Sequence, residues 1–182
     1  GLTELYLAAN SITGPIPTSL ASLANLDVLD ITNNQFTGSM SGYTELGNFP
    51  KLSVFKIGTQ NFGADSEMAT VTWLNTLLQN TYMREMDISD TRLTAKVPSL
   101  FMGYATQLRR LDISSNSLTG TIPADSKMTG LVSMRFFTFD SNLFSGRLDE
   151  DLCGIPNIVQ IKAFPGNLAI ECYPACLTPL LD

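Results

Sequence analysis

Three arginines recur at nearly equal spacing along the chain and could together bind an anionic ligand: Arg84, Arg109 and Arg135. A guanidinium group presents a planar fork of donors that matches a carboxylate through two parallel hydrogen bonds. An aspartate stands three residues after each of the first two, at Asp87 and Asp112. The same spacing therefore also places two carboxylates in series, which is the residue pair that a glycoside hydrolase needs.

The rest of the sequence gives little support to catalysis. There is no histidine, so the most common general base is missing. Neither a Gly-x-Ser-x-Gly nucleophile turn nor a glycine-rich phosphate loop occurs. With only three cysteines and no histidine, a structural zinc site is also disfavoured. We expect a protein that is not an enzyme and that uses no metal or other cofactor.

A repeated frame of apolar residues must position the arginines. From the first apolar residue of each copy, further apolar residues follow three and five positions later, and Asn or a substitute follows at eight. The first residues of the seven copies are Leu2, Leu26, Leu52, Met83, Leu108, Met134 and Ile158, and the eighth positions are Asn10, Asn34, Gln60, Thr91, Asn116, Asn142 and Gly166. Copies of 24 to 31 residues are typical of a solenoid of short structural repeats.

The frame predicts one short strand per copy, with the strands stacked in a parallel sheet. Apolar residues at alternate positions point inward, and their neighbours point to solvent. At the eighth position a side-chain amide can satisfy backbone groups where the chain leaves the strand. Glycines further on, such as Gly14 and Gly120, indicate a backbone that needs conformational freedom.

All candidate binding residues fall on the solvent-facing strand positions: Tyr6, Asp30, Lys56, Arg84, Asp87, Arg109, Asp112, Arg135 and Phe136. Strands about 4.8 Å apart would stack the three arginines in one column, with the aspartates in the central column. One interpretation is a surface ladder in which each arginine leans toward an acidic neighbour. The other is a column that receives an acidic or polar ligand, with Tyr6 or Phe136 as aromatic neighbours.

The end of the frame contains a phrase that occurs twice, NSITGPIP at 10–17 and NSLTGTIP at 116–123, with weaker copies at 35–38 and 143–146. This phrase resembles the plant-type leucine-rich repeat, whose consensus includes L-x-G-x-I-P, as in receptor-kinase ectodomains and polygalacturonase-inhibiting proteins. The resemblance implies an α/β leucine-rich repeat solenoid, a right-handed superhelix with a concave parallel β-sheet. Short helices, 3-10 turns and extended segments would form the convex face, often with a second short sheet near the Ile-Pro positions.

The copies run from end to end and predict a single domain of repeats 2–25, 26–51, 52–82, 83–107, 108–133, 134–157 and 158–182, the last with a C-terminal cap. No polar cap precedes Leu2, so we expect a fragment that lacks its N-terminal cap. The third copy is the longest, and helical spacing of its apolar residues predicts a helix within 65–80. Trp73 in that helix either packs against the repeat or contacts a partner.

The three cysteines, Cys153, Cys172 and Cys176, lie in the last two copies and predict a terminal disulfide. The repeat places Cys153 and Cys176 on adjacent coils, near enough to pair. Cys172 could equally pair with Cys176, which would leave Cys153 as a small core residue. The ending around these cysteines is similar to that of leucine-rich repeat proteins of unicellular eukaryotes. A disulfide and this repeat subclass together favour a secreted or cell-surface protein.

Composition limits the partners. A net charge of −6 disfavours nucleic acid or an anionic membrane as a partner, and no stretch is long enough to insert into a bilayer. We expect an extracellular recognition module whose concave face binds a protein, peptide or polysaccharide. The alternative is a structural component of an extracellular matrix or filament, which would self-associate through its ends or its convex face.

Overall fold

A computed structural model of the chain describes residues 1–38, 49–60, 62, 76–97, 105–122 and 130–179. Its strands are β1 (Glu4–Tyr6), β2 (Thr13–Gly14), β3 (Val28–Asp30), β4 (Gln35–Phe36), β5 (Val54–Lys56), β6 (Glu85–Asp87), β7 (Arg110–Asp112), β8 (Thr119–Gly120), β9 (Phe136–Thr138), β10 (Leu143–Arg147), β11 (Gln160–Lys162) and β12 (Ala169–Cys172). Three-residue strands contributed by the seven frame copies form one parallel sheet in the order β1-β3-β5-β6-β7-β9-β11.

The register of this sheet follows the apolar frame. Leu5 lies opposite Leu29, and the same central position continues through Phe55 and Met86 to the last strand. From β3 onward these central side chains are at most 1% exposed and stack into one continuous core. The leucine-rich repeat solenoid predicted from the sequence is thereby confirmed.

Two smaller parallel sheets lie beyond the main one along each coil. One pairs β2 with β4, and the other has the order β12-β10-β8. Strands β2 and β8 consist of the Thr-Gly pair of the repeated phrase. Gly14 and Gly120 there have φ angles of +85° and +88°, a region that disfavours residues with a Cβ atom. Short 3-10 helices span Thr18–Ser22, Glu150–Leu152 and Ala175–Leu177. The second short sheet expected near the Ile-Pro positions is present.

The residues at the eighth positions connect one coil to the next. The Asn34 amide group donates to the carbonyl of Leu7 in the preceding coil (2.9 Å) and to that of Ile31 in its own (3.1 Å). Its oxygen accepts from the N–H of Ile12 (3.1 Å). Asn116, Asn142 and the substitute Gln60 repeat this pattern. We call this series of hydrogen bonds the amide ladder. It satisfies backbone groups that would otherwise be buried without a partner.

The seventh copy corrects one prediction. Asn167, and not Gly166, completes the amide ladder: its oxygen accepts from the N–H of Phe144 (3.1 Å), and its amide donates to the carbonyl of Phe139 (2.9 Å). The copy has one additional residue between its strand and the ladder, so the periodic count points one residue too early. Gly166 instead has φ +109°, and a Cβ there would meet the backbone of Ser141.

The disulfide joins Cys153 to Cys176, with their Cα atoms 6.1 Å apart and a sequence separation of 23 positions. The pairing between adjacent coils is therefore the one that forms, and the alternative Cys172–Cys176 pairing is wrong. Cys172 is free and half-buried. In the chain-entropy model, a closed loop of this length stabilises the fold by about 3 kcal/mol.

The helix predicted within 65–80 is described only at its end. Residues 76–78 are helical, and Leu77 and Leu78 are each 1% exposed. Trp73 and the earlier part of the predicted helix lie outside the described residues. In the portion of the chain that the structure describes, no helix has the length and hydropathy needed to cross a bilayer.

Asn142→Ala tests the amide ladder. The side chain is 3% exposed and bonds to one N–H and three carbonyls, so its loss leaves several buried polar groups without a partner. We expect the free energy of unfolding to fall by about 3 kcal/mol, as measured by urea denaturation. The matched control is Asn10→Ala, because Asn10 is exposed and bonds only within its own coil. Its cost should stay below about 1 kcal/mol, and equal losses would contradict the ladder.

Gly166→Ala tests the close approach of the last coil to Ser141. A Cβ at position 166 is disfavoured by the positive φ angle and by the nearby backbone atoms of Ser141. Gly14→Ala separates the two effects, because Gly14 has a positive φ but no atom within 4 Å of the added Cβ. We expect Gly14→Ala to lower the free energy of unfolding by about 1 kcal/mol and Gly166→Ala to lower it by clearly more. Equal thermal melting temperatures for the two variants would show that the close approach carries no cost.

Candidate functional site

On the main sheet the candidate residues align in columns that run across the strands, and each strand contributes one residue to a column. The strand register of the sheet aligns Tyr6, Asp30, Lys56, Asp87 and Asp112 across successive strands. This central column matches the arrangement predicted from the sequence. Tyr6 is 62% exposed at the first strand, and it lies several strands away from the arginines.

The arginine column lies at the entry to strands β6, β7 and β9. The carbonyl of Arg84 accepts from the N–H groups of Arg109 (2.7 Å) and Arg110 (3.2 Å). The carbonyl of Arg109 accepts in the same way from Arg135 (2.9 Å) and Phe136 (3.1 Å). These backbone bonds fix the three column residues on successive coils, and all three are exposed.

The aspartates of the central column close turns of their own coils. One oxygen of Asp87 accepts from the hydroxyl (2.6 Å) and the N–H (3.0 Å) of Ser89. Asp112 makes the same two bonds to Ser114, and Asp30 makes them to Thr32. The sequence Asp-Ile-Ser/Thr thus occurs three times with one geometry, a signal that was available in the sequence and was missed.

The predicted charge ladder between arginines and aspartates is not formed in the part of the chain that the structure describes. The two ion pairs there are Lys56–Glu85 (2.9 Å) and Lys162–Asp140 (3.4 Å). Both use a lysine, and both connect adjacent coils.

Phe136 contacts two guanidinium groups. The Arg110 guanidinium carbon lies 4.6 Å from the ring centroid, and that of Arg135 lies 6.0 Å from it. The face of an aromatic ring is negative and attracts such cations. Phe136 is therefore the aromatic neighbour of the arginine column that the sequence predicted. Arg110 is an addition that the sequence analysis did not include.

Arg109 and Arg135 line an open depression of about 610 Å³ at the entry edge of the sheet. Its other described walls are Val132, Ser133, Asn157 and Val159. The two valines are 48% and 49% exposed. The Asn157 amide donates to the carbonyl of Val132 (2.6 Å) and holds that wall in place. Most of these wall residues precede the apolar frame, so the repeat pattern does not indicate them.

Negative charge accumulates at the opposite edge of the same face, where the strands end. Burial raises the pKa of Asp112, the hydrogen bonds from Ser114 oppose this shift, and the neighbouring charges of Asp87 and Asp140 add to it. Asp140 is 5% exposed, and one of its oxygens has no hydrogen-bond partner among the described residues. The face therefore has exposed cations at the strand entry and partly buried acids toward the strand exit.

Comparison with known proteins agrees with the repeat frame and the solenoid. The leucine-rich repeat family model matches residues 1–23 and 107–127. A search of curated protein sequences finds no match. The plant peptide hormone receptor RGFR1 in complex with RGF2 superimposes with a TM-score of 0.75 and 25% identity, over 90% of this chain and 24% of the receptor chain.

Two further structures share the fold. The Arabidopsis receptor kinase HAESA, in complex with the peptide hormone IDA and the co-receptor SERK1, gives a TM-score of 0.75 and 21% identity, over 89% of this chain and 26% of that chain. Pollen Receptor Kinase 3 gives a TM-score of 0.72 and 18% identity, over 93% of this chain and 79% of that chain. The fold is a leucine-rich repeat solenoid, and two segments of the chain match the leucine-rich repeat family model. The three superimposed proteins are plant receptors or receptor kinases to which this chain is similar in fold, and the chain spans about a quarter of the length of the first two receptors.

Asp112→Asn tests the electrostatics of the central column. The raised pKa means that folded Asp112 binds its proton more tightly than the unfolded residue does. This group therefore makes the protein less stable as the pH rises from the ordinary carboxyl pKa, about 3.9, through the folded-state value. Asn can still accept the Ser114 bonds but carries no charge. We expect the unfolding free energy of the variant minus that of the wild type to rise across this window and then level off. A flat difference in urea titrations would contradict the assignment.

Proposed function

We propose that this chain is an extracellular, non-enzymatic recognition module that binds a peptide or protein ligand on its concave face through a carboxylate. The observation that carries the proposal is the depression with Arg109 and Arg135 in its wall. The two arginines are exposed and stand on adjacent strands. Neither belongs to an ion pair with any acid that the structure describes.

The geometry suits a carboxylate. Adjacent strands are about 4.8 Å apart, so two guanidinium groups can approach one carboxylate together. Each charge-assisted hydrogen bond contributes about 1.5–3 kcal/mol. The exposed Val132 and Val159 beside them offer a contact for an apolar side chain of the ligand. Because the whole chain has a net charge of −6, binding of an acidic ligand depends on this local group of cations.

The comparisons support a peptide as the ligand. RGFR1 is a plant peptide hormone receptor, and HAESA was solved in complex with the peptide hormone IDA. The arginine column here offers donors that a peptide carboxylate can bind. The extracellular assignment draws on the same receptor ectodomains and on the Cys153–Cys176 disulfide, since disulfides persist in oxidising compartments. The non-enzymatic assignment draws on the central aspartates, each of which already closes a turn of its own coil.

The double variant Arg109→Gln/Arg135→Gln tests this function. The probe is a synthetic array of acidic peptides, each made with a free and an amidated C-terminal carboxyl. We expect the wild type to bind a subset of the peptides that present carboxylates. The double variant should lose tenfold or more of this binding, because two charged donors are removed, with a melting temperature close to that of the wild type.

The matched control is Arg92→Gln/Arg147→Gln, which removes the same charge from two exposed arginines outside the main sheet. It should retain peptide binding. An equal loss in both double variants would show a general charge effect and overturn the proposal. Retained binding in the Arg109/Arg135 variant would overturn it as well.

A further inference from the structure

A second depression lies where the third coil meets the fourth. It has a volume of about 320 Å³ and is lined by Phe49, Pro50, Gln79, Thr81 and Tyr82, together with Thr76 and Asn80. Tyr82 immediately precedes the apolar frame of the fourth copy. None of these described wall residues carries a charge, although they lie only a few residues from Arg84 and Glu85.

Asn80 makes the floor of this depression rigid. Its amide donates to the carbonyls of Phe49 (3.1 Å) and Leu52 (2.9 Å), which belong to the preceding turn of the solenoid. Its oxygen accepts from the N–H of Tyr82 (2.9 Å). One side chain therefore joins both sides of the depression and holds the backbone under the Tyr82 ring. A site built in this way is organised before a ligand arrives.

The walls present an aromatic face and neutral polar groups. Tyr82 is 60% exposed, and Gln79 and Thr81 are exposed beside it. Within the described part of the chain, no hydrogen bond uses the side chains of Gln79, Thr81 or Tyr82. An amide and two hydroxyls supply both donors and acceptors. The ring supplies an apolar surface with a negative face.

This set of groups selects among ligand chemistries. A carboxylate, phosphate or ammonium group would find no opposite charge in the described walls. A purely lipophilic ligand would cover the exposed polar groups of Gln79, Thr81 and Tyr82 without bonding to them, and Phe49 is only 2% exposed. A sugar ring fits, because its hydroxyls both donate and accept hydrogen bonds, and its C–H face carries a partial positive charge that matches the ring of Tyr82. The volume is in the lower range of small-ligand pockets and suits one or two sugar rings.

We propose that this depression is a binding site for a neutral saccharide, with Tyr82 stacking on the sugar ring and with Gln79 and Thr81 bonding its hydroxyls. The site is separate from the arginine column and does not depend on the carboxylate-binding function proposed above. It gives the chain a second ligand of a different chemical class, at the same strand-entry edge of the solenoid.

The test is a titration of the whole ¹⁵N-labelled chain with cellobiose and, separately, with chitobiose, followed by amide chemical shifts. We expect saturable shifts centred on residues 79–82, with a Kd on the order of 1 mM for at least one of the two disaccharides. Tyr82→Ala should weaken that binding tenfold or more. Tyr82→Phe, which keeps the aromatic face, should weaken it by less than about threefold, the loss of one neutral hydrogen bond.

Tyr6→Ala is the matched control, because Tyr6 is exposed to the same degree (62%) and lies on the first strand of the main sheet. It should leave saccharide binding unchanged. The Arg109→Gln/Arg135→Gln variant should also bind the disaccharide normally, so that failure of one proposal is distinguishable from failure of the other. The proposal is overturned if neither disaccharide shifts these amides, if Tyr82→Ala binds as well as the wild type, or if Tyr82→Phe loses as much as Tyr82→Ala.

Discussion

The arginine column on the concave face depends on the amide ladder, in which Asn116 and Asn142 connect the coils that carry it. A buried Asn or Gln side chain bonds at once to its own turn and to the carbonyl and N–H groups of the coil before it. Since these bonds go to fixed positions in the preceding coil, each new strand begins at the same point relative to its neighbour. The apolar stack from Leu29 to Ile161 then fills the interior between the coils. The alignment of Arg84, Arg109 and Arg135 on successive strands is a consequence of this backbone registration.

The ladder and the core occupy the repeated positions, so binding properties depend on the positions between them. Two of these positions carry opposite charges: arginines precede β6, β7 and β9, and aspartates end β3, β6 and β7. In the described part of the chain these arginines and aspartates form no ion pair with one another, and each aspartate accepts hydrogen bonds from the Ser or Thr two residues later. Guanidinium groups are thereby left exposed on a protein that is acidic overall. The contact of Arg110 and Arg135 with Phe136 keeps two of these guanidinium groups next to an aromatic ring.

Sequence periodicity predicted the features that repeat, namely the strands, their register and the inward residues. It also predicted the central column, which contains Tyr6, Asp30, Lys56, Asp87 and Asp112. It could not predict features that change when a copy gains or loses one residue, such as the position of Asn167 in the ladder. Hydrogen-bond partners such as Ser89 for Asp87 depend on local geometry that a count of columns does not contain. The two depressions were missed for a related reason: their walls come largely from the variable segments between frames, including Tyr82 and Val132.

The additional residue of the seventh copy shows how this architecture accommodates variation. Strand β11 still pairs with β9 without a shift, from Gln160 opposite Phe136 to Lys162 opposite Thr138, because the added residue follows the strand and is absorbed before Asn167. A change in chain length within one coil is thus not passed on as an offset between strands of the main sheet, although the smaller sheet has a register shift between Gly146 and Arg147, where β10 pairs with β12. Insertions and deletions can therefore accumulate during evolution without disturbing the columns. The surface that contacts a ligand and the lengths of the coils that carry it are free to diverge independently.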